Sequence, residues 1–357
     1  MKKTFLIFTL TLLSNILMAQ QKNEAEKLVN DGIPYHDKGD YDGAISKYNK
    51  ALELDKDNLL ALTEKAFSLL LLKKYDESIQ CCQLAIEKHS GEKELKTIYV
   101  TYGNATDELK RTDKSIEIYN EGIKLFPNSY QLYYNKGITL SSIKKYAEAI
   151  LCFEKAISIN PKHSSSHNAI GQLLNNKNER IPSLLATCRF LILEPESKRA
   201  KNNLIRLQEI MNGNVEKSDK KGGVTVYISE KMLGDTLANG KPAENSFSTT
   251  DMILRMTTAL DFDKKNKNKT DVEQFIRKFE TVCASLEEVQ KNNFGFYWDF
   301  YVPYFIEMKN KQLINTFAYI AFASSENPEV TKWLKSHPDE TTKFYDWSKS
   351  FVWKTND

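Results

Sequence analysis

The stretch from Tyr130 to His163 decides the fold, and it reads YQLYYNKGITLSSIKKYAEAILCFEKAISINPKH. Large apolar residues recur in it at helical spacing, and a polar turn separates two such runs. Gly137 and Ala149 are small enough to let two helices cross closely, and Pro161 is placed where it would stop the second helix. The stretch therefore predicts a pair of short amphipathic helices.

This pattern recurs about every 34 residues through the first two-thirds of the chain. The quoted unit resembles a tetratricopeptide repeat at its large, small and terminal-proline positions, which are Tyr133, Gly137, Leu140, Tyr146, Ala149, Phe153, Ala156 and Pro161. An insertion of three residues precedes the third of five units, which span residues 25–58, 59–92, 96–129, 130–163 and 164–197. The resemblance implies an all-α fold, a tetratricopeptide-type α-solenoid of about five helix pairs with a capping helix, over residues 25–211.

The remainder of the chain shows no such resemblance. Residues 212–247 are polar and are expected to form a linker, in which Val224 to Ile228 could be a short strand without a partner. Residues 248–357 are expected to form a mainly helical, aromatic-rich domain. Thr270 and Glu273 predict a capping box, and a further helix is expected from Phe296 to Asn310.

Residues 1–19 have the pattern of a secretory signal. Lys2 and Lys3 precede an apolar run, and Ala19 is followed by polar residues, which favours cleavage after Ala19. The apolar run is shorter than the roughly 20 residues of a spanning helix, so the mature chain is expected to have no membrane span and to be periplasmic or secreted. The net charge of +3 gives no argument for nucleic acid as a partner.

The resemblance also implies a binding surface, because in this family the first helix of each unit lines a concave groove. The groove positions map to an apolar set followed by a polar set: Val29, Ile33, Leu60, Phe67, Leu70, Asn104, Asp107, Gln131, Tyr134, Asn168, Gln172 and Asn175. This division suggests a protein or peptide partner that is anchored by apolar contacts at one end and by amide hydrogen bonds at the other. Val29 and Ile33 replace the Lys and Asn of the family's two-carboxylate clamp, so that recognition mode is expected to be absent.

Two other interpretations of these features remain open. Leu60, Phe67 and Leu70 could instead pack against a neighbouring helix or the C-terminal region. The dense aromatic run of eight rings in twelve residues from Phe294 to Phe305 could bind a small molecule or a glycan, although its helical spacing favours a core.

Signatures of catalysis are missing from the sequence, and no cofactor or metal is expected. It has no HExxH, GxSxG, P-loop or dinucleotide motif, and no two histidines have metal-ligand spacing. The acidic residues that could in principle supply acid/base chemistry are Asp261, Asp263, Asp299 and Glu307. The five cysteines do not form a disulfide framework, since their number is odd and Cys81 and Cys82 are adjacent.

Overall fold

The computed structural model describes residues 2–213, 215–218, 223–228 and 242–354, and for residues 2–16 it describes the helical backbone alone. The described residues form 17 α-helices and one two-stranded sheet, which confirms the expected all-α class with tetratricopeptide-type helix pairs. The chain divides into two compact units, residues 1–152 and 153–357. Each unit is described by itself below.

The first unit contains helices that pack in sequential pairs. They are α1 (Lys2–Asp37), α2 (Tyr41–Leu54), α3 (Leu59–Leu71), α4 (Tyr75–Lys88), α5 (Leu95–Glu108), α6 (Thr112–Leu125), α7 (Tyr130–Ser142) and the first half of α8 (Tyr146–Ile159). Helices α1, α3, α5 and α7 are the first helices of the first four repeats. Each of α1, α3 and α5 packs on the next first helix as well as on its own partner.

The turn inside each of the five repeats has the same backbone geometry. One residue per turn is left-handed, with φ between 59° and 82°, and these residues are Gly39, Lys73, Lys110, Lys144 and Asn178. In each turn the following amide donates to a carbonyl five residues back; Lys74 N, for example, bonds Leu69 O at 2.9 Å. This is the Schellman motif, which satisfies the last carbonyls of the first helix and reverses the chain. The inserted residues before α5 therefore leave the third repeat's turn unchanged.

The small residues of the repeats make room for tyrosines. A Cβ on Gly103 would lie 2.3 Å from Tyr119 Cε1, and a Cβ on Gly32 would lie 2.4 Å from Tyr48 Cε1. Both tyrosines are fully buried. On the second helix the small residue is often a serine, and Ser115 Oγ donates to Gly103 O at 2.8 Å. The glycines are thus required by a ring packed between the two helices, as well as by the crossing of the helices themselves.

The second unit begins within α8 and contains the fifth repeat together with the C-terminal helices. The fifth repeat is α9 (Ser164–Asn176) and α10 (Arg180–Leu193), followed by α11 (Ala200–Asn212). The other helices are α12 (Ser248–Ala259), α13 (Asp271–Val289), α14 (Phe296–Asn310), α15 (Ile314–Ala321), α16 (Pro328–Ser336) and α17 (Pro338–Ser350). The predicted capping box of Thr270 and Glu273 is present at the start of α13.

Helix α10 is buried all round. Every residue from Arg180 to Ile192 is buried, and the helix packs on α9, α11, α12, α14 and α15. A helix without a solvent face belongs to the interior of a domain. The C-terminal helices therefore cover the second helix of the fifth repeat, whereas Gln172 on its first helix stays exposed.

The strand predicted near Val224 is present, but it has a partner. Strand β2 (Val224–Val226) pairs antiparallel with β1 (Val215–Lys217), and Val215 lies opposite Val226. The expectation of an unpaired strand was wrong, because β1 has the sequence Val-Glu-Lys, which is too short to show alternation. Residues 214, 219–222 and 229–241 of the expected linker lie outside the described residues.

At the N-terminus, α1 is one continuous helix from Lys2 to Asp37. It includes the expected signal segment as well as the first helix of repeat one. Among the residues searched within the described part of the chain, no helix has both the length and the apolarity needed to cross a bilayer.

Candidate functional site

Helix α3 in the first unit carries the clearest exposed apolar surface among the predicted groove positions. Leu60 and Phe67 are 42% and 40% exposed, and Leu70 on the same face is half-buried. The opposite side of this helix, with Leu62 and Leu69, is part of the hydrophobic core. We call Leu60, Phe67 and Leu70 the α3 stripe. Packing within the first unit does not fully bury its leucine and phenylalanine side chains.

His36 on α1 extends this surface, and the sequence argument missed it. Its ring centroid lies 5.0 Å from that of Phe67, and its Nδ1 lies 2.7 Å from Ser68 Oγ. His36 occupies the twelfth position of the first repeat, which is one of the groove positions, so the repeat alignment could have identified it. It fixes the orientation of the Phe67 ring from the neighbouring helix.

Glu64 supplies a carboxyl beside the α3 stripe. Burial raises the pKa of Glu64, an effect that the neighbouring His36 partly offsets and Asp37 reinforces. A half-buried carboxyl next to exposed apolar side chains can pair with a cationic group of a ligand.

Val29 is a core residue, which corrects its assignment to the surface. It is fully buried in a cluster with Ala25, Ala44 and Tyr48. Ile33, one turn further along α1, is half-buried. The apolar surface of the first unit is therefore carried by α3 more than by α1.

Asn104 and Asp107 on α5 hold helices together. Tyr119 Oη donates to Asn104 Oδ1 at 2.6 Å. Asp107 accepts from Thr112 Oγ1 at 3.1 Å and from Thr139 Oγ1, on α7, at 2.9 Å. These bonds connect α5 to α6 and α7, so the two side chains have structural partners already.

Helix α7 contributes Gln131 and Tyr134, both half-buried. Ser129 Oγ lies 3.3 Å from Gln131 Oε1, which orients the Gln131 amide at the start of the helix. Ile138, four residues after Tyr134, is exposed on the same face. Together Tyr134 and Ile138 form a smaller apolar area on α7.

Asn168, Gln172 and Asn175 lie in the second unit, where they line a polar cleft with α11. Arg206 of α11 donates to Asn168 O at 3.3 Å and to Asn168 Oδ1 at 3.1 Å. Burial lowers the pKa of Arg206 to about 10. Of the predicted groove positions, Leu60, Phe67 and Leu70 thus form an apolar stripe in the first unit, and Asn168, Gln172 and Asn175 line an amide-rich cleft in the second.

The aromatic run of the C-terminal region is a core. Tyr297, Trp298, Tyr301 and Tyr304 are all buried, whereas Phe294 is exposed. The rings cover one another: Trp298 stacks on Phe247 at 4.3 Å, for example. The ring faces that a sugar would need are already occupied, so the glycan-binding interpretation loses its basis at these residues.

Several polar groups inside this core contact one another or aromatic rings. His167 Nδ1 lies 2.6 Å from Tyr301 Oη, and burial lowers the pKa of His167 to about 3. The guanidinium of Arg189 lies 5.1 Å from the Tyr304 ring centroid and 4.8 Å from that of Trp353. Cation–π contact with two rings compensates part of the cost of burying this charge.

The carboxylates considered for catalysis do not form a site. Asp261 pairs with Arg277 and Lys278, and Glu307 accepts from Trp347 Nε1 at 2.7 Å. Asp263 and Asp299 are exposed. Among the described residues no group of three or more His, Cys, Asp or Glu could hold a metal ion, and the five cysteines are buried free thiols.

Three segments of the chain match models of the tetratricopeptide repeat, and they cover residues 34–72, 97–129 and 130–163. These three segments of the N-terminal half are therefore tetratricopeptide repeats, as the recurring pattern predicted. The C-terminal region matches no family model.

Similar proteins include two curated relatives. The chain is 28% identical to Protein STIP1 homolog of Dictyostelium discoideum in an alignment of 174 positions that covers 40% of this chain and 31% of the relative. It is 28% identical to the Hsp70-Hsp90 organizing protein of Triticum aestivum in an alignment of 165 positions that covers 37% of this chain and 28% of the relative. The chain thus spans about three-tenths of the length of these relatives. The solved structure of Pseudomonas aeruginosa pilF is similar at 20% identity and a TM-score of 0.47, covering 54% of this chain and 84% of that one.

Proposed function

We propose that this chain is a non-enzymatic scaffold that binds a peptide segment of another protein on the α3 stripe. The observation that carries the proposal is the pair of exposed side chains, Leu60 and Phe67, on a helix whose other face is core. The relatives named above include an organizing protein, which agrees with a scaffold role.

The spacing of the stripe defines the ligand. Leu60 and Phe67 are seven residues apart on one helix, which corresponds to about 10 Å along its axis. A peptide in the extended polyproline II conformation has three residues per turn and places residues three apart on one face at about 9 Å, and a helical peptide does so with residues seven apart at about 10 Å. Glu64 lies between the two positions in sequence and favours a lysine or arginine between the apolar anchors. The proposed ligand is therefore a peptide with two apolar anchors and a basic residue between them.

Selection of peptides from a random library on the full chain tests this proposal. Selected peptides are expected to lose at least tenfold in affinity for Phe67→Glu, because a charge replaces an apolar contact; a tenfold loss is about 1.4 kcal/mol. Titration calorimetry with one selected peptide measures the change.

Leu125→Glu provides the matched control. Leu125 is an exposed leucine at the end of α6, outside the groove positions, and its replacement is expected to leave the affinity unchanged. Equal affinities of wild type and Phe67→Glu for every selected peptide would refute binding at the stripe.

The scaffold is further proposed to act outside the cytoplasm, in the periplasm or after secretion. Support comes from the charged start at Lys2 and Lys3, the apolar run and Ala19. Expression of the full chain in a bacterial host, followed by fractionation and intact mass measurement, is expected to give a protein that begins at Gln20. Uncleaved chain confined to the cytoplasm would contradict export.

A further inference from the structure

A second exposed apolar surface lies in the second unit, at the C-terminal end of α12. Met256 is 61% exposed, and Leu260, one turn later, is 46% exposed. Phe262 is 43% exposed and lies in the 3-10 turn Leu260–Phe262 that follows the helix. On the other side of α12, Leu254 and Thr258 are buried. The solvent-facing side of this helix end is therefore apolar, while its opposite side packs into the core.

Further apolar groups lie next to this helix end. Arg255 Nη1 donates to Tyr227 O, which fixes the segment after β2 beside α12. Tyr227 and Ile228 are both about half exposed. We call Tyr227, Ile228, Met256, Leu260 and Phe262 the α12 tip.

A turn rich in lysine follows the α12 tip directly. Lys264, Lys265 and Lys267 are exposed, and none of them forms an ion pair with another residue that the structure describes. Asn266 Nδ2 donates to Leu260 O at 2.9 Å, and Asn266 N donates to Asp263 O at 3.0 Å. These bonds tie the turn to the end of α12, so the lysines follow the apolar side chains within a few residues of a backbone held in place.

The acidic residues nearby are mostly engaged elsewhere. Asp261 pairs with Arg277 and Lys278. Glu273 belongs to the capping box of α13, and Asp271 accepts from Gln208 at 3.3 Å. Asp263 is the exposed acid within the turn itself. Asp263, Asp271 and Glu273 are exposed carboxylates, and the turn carries four lysines, Lys264, Lys265, Lys267 and Lys269. The lysines therefore exceed these carboxylates by one charge.

We propose that the α12 tip and its lysine turn contact the surface of an anionic phospholipid membrane. Apolar side chains on a helix end enter the boundary between headgroups and acyl chains, and lysines beside them are attracted to anionic headgroups. Exposed apolar side chains alone, or exposed lysines alone, are common on protein surfaces. Here the two lie side by side, and the positive charge of the lysines is complementary to the negative charge of anionic headgroups. This surface is independent of the α3 stripe.

A fluorescent probe placed in the turn tests the proposal in the full chain. Asn268→Cys, labelled with a polarity-sensitive dye, reports on the turn itself, since all five native thiols are buried. Vesicles of phosphatidylglycerol and phosphatidylcholine are expected to shift its emission to the blue, and pure phosphatidylcholine vesicles are not. Replacing Lys264, Lys265 and Lys267 by Gln, or Leu260 and Phe262 by Ser, is expected to weaken vesicle binding at least tenfold.

The same dye at Asn49→Cys, an exposed position on α2, is the control and is expected to show no shift. A shift of equal size on neutral vesicles, or one that survives both sets of replacements, would overturn the proposal. Polyglutamate is the probe for a protein partner. If it reproduced the shift and abolished the response to vesicles, the surface would be one for an acidic polypeptide instead of a membrane.

Discussion

Asp251→Asn is expected to lower the free energy of unfolding of the second unit by about 3–5 kcal/mol, because it leaves two buried guanidinium groups without their carboxylate. Arg180 Nη1 lies 2.7 Å from Asp251 Oδ1, and Arg255 Nη2 lies 2.9 Å from Asp251 Oδ2. All three side chains are largely buried. Asparagine keeps the size of the side chain, removes the charge and replaces one acceptor oxygen by an NH2 donor, so the loss reports on the ion pairs together with their hydrogen bonds.

Urea denaturation followed by circular dichroism measures this loss. Asp263→Asn is the matched control, because Asp263 is exposed and lies twelve residues further along. It is expected to change the unfolding free energy by no more than about 0.5 kcal/mol. A variant at Asp251 that unfolds at the same urea concentration as the control would show that the two arginines do not depend on this carboxylate.

Phe279→Ala is expected to destabilise the second unit by a similar amount, about 3–5 kcal/mol, by opening a cavity. Phe279 is fully buried on α13, and its ring centroid lies 5.2 to 5.6 Å from those of Phe275, Phe317 and Phe305. Phe279→Leu keeps most of the volume and is expected to cost roughly 1.5 kcal/mol or less.

Phe294→Ala serves as the control for the loss of a ring, since Phe294 is about half exposed. Its expected cost is at most about 1 kcal/mol. The same urea titration ranks the three variants. If alanine at 279 were no more damaging than alanine at 294, the ring cluster on α13 would not be the core of the second unit.

The repeats could be predicted from the sequence because each of their determinants is local and recurs. Gly103 and Tyr119 return as Gly32 and Tyr48, and the left-handed turn residue returns in all five units. The helix from Phe296 to Asn310 was also predicted with its observed bounds. Such features depend on residues that are close in sequence, within about the length of one repeat. They can therefore be predicted from the sequence pattern.

The composition of the candidate site could be predicted only in part. Leu60 and Phe67 lie at the surface as expected, but Val29 is core, and Asp107 is tied to Thr139 on the next repeat. Val29 is buried against Ala44 and Tyr48, which lie 15 and 19 positions away, and the partner of Asp107 on α7 lies 32 positions away. The burial of Arg189 beside Tyr304 and Trp353 is a long-range feature, since these rings lie 115 and 164 positions further along the chain.

The complete burial of α10 limits how the repeat array can vary in length. Stacked repeats usually gain or lose units at little cost, because each unit contacts only its neighbours. Here the fifth and last repeat has no exposed outer face, since its second helix, α10, packs on α12, α14 and α15. An additional unit placed after Leu193 would have to displace these helices. Whole repeats can therefore be duplicated or deleted without disturbing the second compact unit only before residue 153. The fifth repeat cannot vary in this way, because it is part of the second compact unit.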